Sequence, residues 1–157
     1  MLLKNLIRNL KPEVAALKIK GISFDSRSVK KGDLFVSIKG EKFDGNDYVN
    51  QATSKGAKVI VHSKKVKQNK KATFIKFKDT RNILARLSTN YYKNKPNNIV
   101  AVTGTNGKTS VSDFFYQIFM LQKKKSGFIG TLGFRKNKLL RRRSLTTLDS
   151  LTLNKDL

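Results

Sequence analysis

Apolar residues stand at Leu2, Leu3, Leu6, Ile7 and Leu10, a spacing that predicts a helix at the start of the chain. Residues 18–24 read as a strand that enters Asp25-Ser26-Arg27. Lys31-Gly32-Asp33 is a turn signal, and residues 34–38 are a second strand. A loop with glycine at both ends, Gly40 and Gly45, precedes a helix expected over residues 46–55 and closed by Gly56. Residues 58–61 and 73–77 are two more short strands. Asp79 is placed to cap a helix through Tyr92, with Ile83, Leu84 and Leu87 on its inner face. The polar segment Lys93-Asn94-Lys95-Pro96-Asn97-Asn98 reads as a linker. After it the pattern changes. Ile99-Val100-Ala101-Val102 is apolar without alternation, as expected for a strand buried on both faces of a parallel sheet. A glycine-rich turn, a helix over 108–122 and a strand over 127–129 follow. That unit opens an α/β nucleotide-binding domain. The predicted class is therefore α/β, with one domain over residues 1–95 and the beginning of a second over 96–157. One crossover unit cannot cover a parallel sheet on both faces. The second domain is thus expected to be incomplete, and residues 99–157 loosely packed.

Composition narrows the chemistry. With no cysteine, disulfides and thiolate metal sites are excluded. Lys4 and Arg8 interrupt the first apolar run too early for a signal peptide. No apolar stretch approaches the roughly 20 residues that span a bilayer, so no membrane insertion is expected and the cytoplasm is the default location. The net charge of +24 admits an anionic partner. Lysine outnumbers arginine 26 to 8, and the lysines are scattered through every predicted element. That distribution reads first as composition bias and second as affinity for an anionic small ligand. No basic–aromatic stripe supports a nucleic-acid partner.

The strongest chemical signal is Thr103-Gly104-Thr105-Asn106-Gly107-Lys108-Thr109-Ser110, placed after a predicted buried strand and before a helix. Glycines let the backbone aim successive N–H groups at phosphate oxygens, and the helix start adds its positive dipole end. Lys108 can reach β- and γ-phosphates, and the Thr109 hydroxyl can ligate Mg²⁺. The usual pattern has glycine six positions before the lysine, where Val102 stands here. The other reading is a tight strand-to-helix turn with an incidental lysine.

Gly-Thr-Asn-Gly-Lys-Thr after Val-Thr resembles the ATP loop of the Mur ligases and their folylpolyglutamate synthetase relatives. Phe24-Asp25-Ser26-Arg27, Val29, Gly32-Asp33-Leu34-Phe35-Val36, Gly40, Asp44-Gly45, Ala52 and Gly56-Ala57 are similar to the UDP-binding N-terminal domain of that family. Asp79-Thr80-Arg81, Gly130-Thr131-Leu132-Gly133 and Thr146-Thr147-Leu148-Asp149 fit later segments in the right order. The resemblance implies an ATP- and Mg²⁺-dependent amide ligase of peptidoglycan precursor synthesis. Thr105-Asn106 and the Gly-Thr-Leu-Gly segment favour the branch that adds the third amino acid to UDP-N-acetylmuramoyl-L-alanyl-D-glutamate, over the branch that adds D-alanyl-D-alanine. It implies an acyl-phosphate intermediate, a UDP-muramoyl dipeptide and an amino acid as substrates, and an enzyme roughly three times this length. The chain alone is expected to be inactive, and the amino acid added, meso-diaminopimelate or lysine, is not legible in it. The alternative is a non-catalytic UDP- or nucleotide-binding module.

Residue by residue, the resemblance assigns Gly104, Thr105, Asn106, Gly107, Lys108, Thr109 and Ser110 to the nucleotide, with Lys108 catalytic and Thr109 on the metal. Ser26 matches a position that contacts the UDP-sugar, and Phe24 stands beside it. On the residues alone the preferred reading is a capped turn in which Asp25 and Ser26 bond the backbone and Arg27 pairs with a carboxylate; the resemblance reverses that preference. Glu41, Lys42 and Phe43 match the loop that holds the uracil; a hairpin loop with a core phenylalanine is the competing reading. Thr146 and Thr147 match a pair that contacts the muramoyl peptide, although Leu145 and Leu148 depart from the usual neighbours. Arg141-Arg142-Arg143 reads as a solvated charge run, and His62 as structural.

Overall fold

Four short strands of the first ninety residues pair in parallel, in the order in which the chain makes them: β1 (Ile22–Ser23), β2 (Leu34–Val36), β3 (Val59–His62) and β4 (Thr73–Lys76). In this computed structural model the backbone is described for residues 1–41, 43–136, 139–141 and 148–157. The chain divides into two compact units, Met1–Asn94 and Lys95–Leu157.

In the first unit the register sets Phe35 opposite Ile60 and Ile60 opposite Phe74. Side chains alternate across a strand, so this row shares one face, while Leu34, Val36, Val59 and Val61 point to the other. The Phe35 row packs with Val29, Val49, Ala52 and Ala57, and α2 (Val49–Ser54) supplies two of these. On the opposite face Ile75 shares a groove with Leu6 and Ile7 and with Ile83 and Leu87 of α3 (Thr80–Tyr91). Every residue of β3 is buried, as a strand covered on both sides requires. Asp79 caps α3 through its carboxylate, which accepts from the Asn82 amide at 3.0 Å.

The expected helix at the chain start does not form as an α-helix. Only Leu3–Asn5 make a 3₁₀ turn, followed by α1 (Pro12–Ala15). The backbone bonds give the reason: Leu3 N–H donates to Leu17 and Ile19 N–H to Met1, so the start of the segment pairs with residues 17–19, and only Asn5, Leu6 and Ile7 donate back to Leu2 and Leu3. Leu3, Leu6 and Ile7 are buried all the same. The helix expected over 46–55 begins as a 3₁₀ turn, Gly45–Tyr48, before α2.

The second unit contains α4 (Lys108–Leu121), the antiparallel meander β5 (Gly127–Gly130), β6 (Gly133–Lys136) and β7 (Leu139–Arg141), and α5 (Ser150–Asp156). Two expectations are corrected here. Residues 99–102 are not paired as a strand: Ile99 and Val100 are each 64% exposed. The strands of this unit pair antiparallel, with no parallel pairing among the described residues. A lone apolar strand gains nothing from a sheet unless neighbours bond its edges and cover its faces. Along α4, Val111, Phe114, Phe115, Ile118 and Leu121 are exposed at helical spacing, which leaves an apolar stripe open.

Candidate functional site

Candidate residues lie in both units: in the first on the turn after β1 and the loop after β2, and in the second on the loop before α4. In the first, the chain leaves β1 into a turn held by its own polar side chains. The Ser23 hydroxyl meets the Ser28 hydroxyl at 2.8 Å and donates to the Asp25 carbonyl at 2.9 Å. The Arg27 guanidinium forks onto Asp25, at 3.0 Å to Oδ1 and 2.9 Å to Oδ2. That pair holds the Asp25 carboxyl below its ordinary range, chiefly through the Arg27 side-chain hydrogen bond. Asp25 and Arg27 thus do the work of a capped turn. Ser26 faces the opposite way: it is buried, and its hydroxyl donates to Gln51 Oε1 on α2 at 2.5 Å. The Lys55 ammonium donates to the Arg27 carbonyl and ties the turn to α2 a second time. Phe24 is half-buried beside it.

The loop after β2 is equally tied. Gly40 N–H donates to the Phe43 carbonyl at 2.8 Å and Gly45 N–H to Ile38 at 2.9 Å. Asp44 accepts from the Asn46 backbone at 3.0 Å and pairs with Lys64 at 2.6 Å. Asn46 Oδ1 in turn accepts from the Ser37 hydroxyl at 2.9 Å, and Arg81 donates to the Lys39 carbonyl at 3.1 Å. Phe43, 68% exposed, stands out at the tip, which rules out the core-phenylalanine reading. Glu41 is exposed on the same loop, and Lys42 lies outside the described residues.

The Lys64 ammonium, followed by the Asn46 amides, draws the Asp44 carboxyl down from 3.8 to about 2. A carboxylate with a depressed folded-state pKa contributes stability that is present above its unfolded pKa and lost as pH falls through the folded one. The urea midpoint should therefore drop between about pH 4 and pH 2, and Asp44→Asn should flatten that limb; an unchanged slope in the variant would remove Asp44 from the account.

In the second unit the candidate loop stands before α4. Gly107 is the N-cap with φ of 77°, a left-handed conformation that a side chain strains and glycine does not. No side chain caps this helix start. Its first amide N–H groups have no intrahelical acceptor, as at every helix start. Lys108 curls back so that its ammonium donates to the carbonyls of Gly104 and Thr105. Gly104, Thr105, Asn106 and Ser110 are exposed. The Thr109 hydroxyl lies 2.8 Å from that of Thr131, just past β5, a neighbour that sequence order alone does not reveal. Further along α4, Asp113 pairs with Arg135 at 2.9 Å and accepts from Gln117 at 2.7 Å. An exposed glycine turn, an uncapped helix start and a lysine closing over them suit a phosphate chain.

His62 is buried, with Nδ1 2.7 Å from the Lys64 carbonyl and its ring edge-on to Phe74, a structural setting. Thr146 and Thr147, with Arg142 and Arg143, lie outside the described residues, and of Arg141 only the backbone is described. Among the described residues no group of three His, Asp or Glu is placed to hold a metal, and no helix is long and apolar enough to cross a membrane.

Comparison with known proteins gives concordant matches. Residues 18–92 match "Mur ligase family, catalytic domain" and residues 102–157 match "Mur ligase middle domain". A UDP-N-acetylmuramoyl-L-alanyl-D-glutamate–2,6-diaminopimelate ligase from Syntrophomonas wolfei is 39% identical over 154 residues, 97% of this chain and 32% of that protein. The ligase of the same name from Clostridioides difficile is 43% identical over 129 residues, 80% of this chain and 26% of that one. The chain thus spans about a third of the length of such relatives. Among solved structures, a ligase of that name aligns with a TM-score of 0.78 at 24% identity, over 99% of this chain and 32% of that chain. A MurF ligase from Thermotoga maritima in complex with ADP aligns at 0.56 and 29% identity, over 68% of this chain and 24% of that one. With both of its units matched in order, the chain belongs to the Mur ligase family, as a stretch covering its N-terminal and middle domain segments.

Proposed function

We propose that this chain is the UDP-sugar-binding and ATP-loop portion of an ATP-dependent amide ligase of peptidoglycan precursor synthesis. Its proposed reaction joins 2,6-diaminopimelate, the amino acid in the relatives' names, to the D-glutamyl end of UDP-N-acetylmuramoyl-L-alanyl-D-glutamate. The observation that carries the nucleotide half of this reading is the uncapped start of α4 behind Gly104–Gly107, with Lys108 folded over the loop. For the UDP half, support comes from the tied turn at Ser26 and the tied loop that presents Phe43.

In this proposal Gly104, Thr105, Asn106, Gly107 and Ser110 wrap the phosphates with backbone and hydroxyl donors, and Lys108 leaves its loop carbonyls to meet the β- and γ-oxygens. Mg²⁺, held at the Thr109 hydroxyl, would neutralise charge on the transferring phosphoryl group. Thr131 orients that hydroxyl. Ser26 meets the diphosphate, Phe43 covers the uracil, and Phe24 and Glu41 border the two. Lys42, Thr146 and Thr147 carry the substrate roles that the family resemblance assigns. The dipeptide's terminal carboxylate takes up the γ-phosphoryl group, and the incoming amine then displaces phosphate to form the amide. Amide formation is proposed for a whole protein of the relatives' length; for this chain we propose ligand binding.

Amide hydrogen exchange tests it. Saturating UDP should slow exchange over residues 24–28 and 40–46, and ATP with Mg²⁺ should slow it over 104–111. Protection by either ligand at other segments, or none, would count against the assignment of that site.

A further inference from the structure

A serine hydroxyl has one proton to give and two lone pairs to offer. At Ser26 the proton is committed to Gln51 Oε1 at 2.5 Å. So seated, the hydroxyl presents only lone pairs outward, which repel a phosphate oxygen. Turning the O–H bond toward the anion would leave the lone pairs of Oγ and Oε1 facing each other at 2.5 Å, while the Asp25–Arg27 fork, the Ser23 and Ser28 hydroxyls and the Lys55 bond to the Arg27 carbonyl hold the turn on α2. Gln51, by contrast, is exposed and can rotate its terminal amide in water. A half-turn of that amide brings Nε2 to the same place, where its N–H donates to Ser26 Oγ. The O–H is then released to donate to an anion. No bond to hydrogen breaks; only the direction of the hydrogen bond reverses. Both orientations are open to a carboxamide because one end accepts and the other donates, whereas a carboxylate can only accept.

We infer that Gln51 is a positioning residue for the diphosphate: its amide sets which way the Ser26 proton points, and diphosphate binding reverses the bond between them. The inference rests on the UDP-sugar reading of the first unit. No motif in the sequence singles Gln51 out.

Titration calorimetry of the full chain with UDP and with uridine separates the possibilities. Gln51→Glu keeps the Ser26 proton committed and should weaken UDP by about tenfold, the worth of one charge-assisted hydrogen bond, while leaving uridine unchanged. The added charge also repels the diphosphate, so the deciding result is a double-mutant cycle. In a Ser26→Ala background the Gln51→Glu penalty should shrink. If Gln51→Glu fails to fold by circular dichroism, Gln51→Leu, which neither donates nor accepts there, takes its place: with no acceptor to hold it the Ser26 proton is free, so UDP affinity should stay within about twofold of wild type. A Gln51→Glu penalty of equal size with and without Ser26, or none, or an about tenfold loss in Gln51→Leu, overturns the inference while leaving the site intact. A wild-type chain that binds neither UDP nor uridine overturns the UDP reading, and the inference with it.

Discussion

Lys108→Ala should weaken ATP binding to this chain by about 10- to 100-fold, the effect of losing one or two charge-assisted hydrogen bonds to phosphate. The side chain has no apolar role to lose. It is exposed, and among the described residues its ammonium donates to the Gly104 and Thr105 carbonyls of its own loop. Removing it therefore leaves the helix and its packing in place, and the far-UV circular dichroism should not change. Lys108→Arg is the informative companion. It keeps the charge, but a planar fork replaces a compact ammonium that closes between two carbonyls, so it should rescue binding only in part. Equal ATP affinity in wild type and Lys108→Ala, measured by calorimetry with Mg²⁺ present, would reduce the loop to a strand-to-helix turn.

The largest effect on stability is expected at Phe35. Its ring is fully buried in the second strand of the parallel sheet, opposite Ile60 and against Val29, Val49, Ala52 and Ala57. Phe35→Ala removes the ring and leaves a cavity that flanking β-strands cannot close without breaking their ladder. The expected cost is about 3–5 kcal/mol. That is a large share of the stability of a unit this size, so the variant should lose the first unit's cooperative urea transition or shift it to much lower denaturant. Phe35→Leu, which retains most of the volume, should cost less than half as much. A variant at alanine as stable as wild type would mean that the sheet does not pack as described.

How much of this could be read in advance depended on where each segment finds its partners. β2, β3, β4 and α3 were legible because their signals are local: an apolar run bounded by turn residues, or Asp79 followed by Ile83, Leu84 and Leu87 at helical spacing. The chain start misled because its apolar spacing fits a helix, while Met1 and Leu3 bond to Ile19 and Leu17 and leave room for a single turn, a choice that no local pattern encodes. Residues 99–102 misled in the opposite sense. Their composition is that of a central strand, but the pairing that makes one is tertiary, and Ile99 and Val100 stay exposed. At the candidate sites, the glycine loop and Lys108 were readable because the proposed phosphate site is built from consecutive residues. Gln51, Lys64 and Thr131 were not, since each meets its partner across 25, 20 or 22 positions of sequence. For Asp25 and Arg27 the plain reading of a self-bonded turn is the observed one.

The strand order β1-β2-β3-β4 bears on how the first unit comes to be folded as it leaves the ribosome. Each new strand adds to the edge of the one before it, so no strand has to wait for a distant segment or be inserted between two already paired. The loops closed at each step are short, and their entropic cost is correspondingly small. Vectorial growth of that kind suits a chain whose N-terminal part emerges first. What it leaves to the end is α3. Its Asn90 side chain reaches back 84 positions to the Leu6 carbonyl at 3.1 Å, and Tyr91 reaches back 71 to that of Lys20 at 2.6 Å. Docking of that helix seals the face on which the chain start lies, and until it is synthesised the nascent sheet has one side covered by the chain start alone.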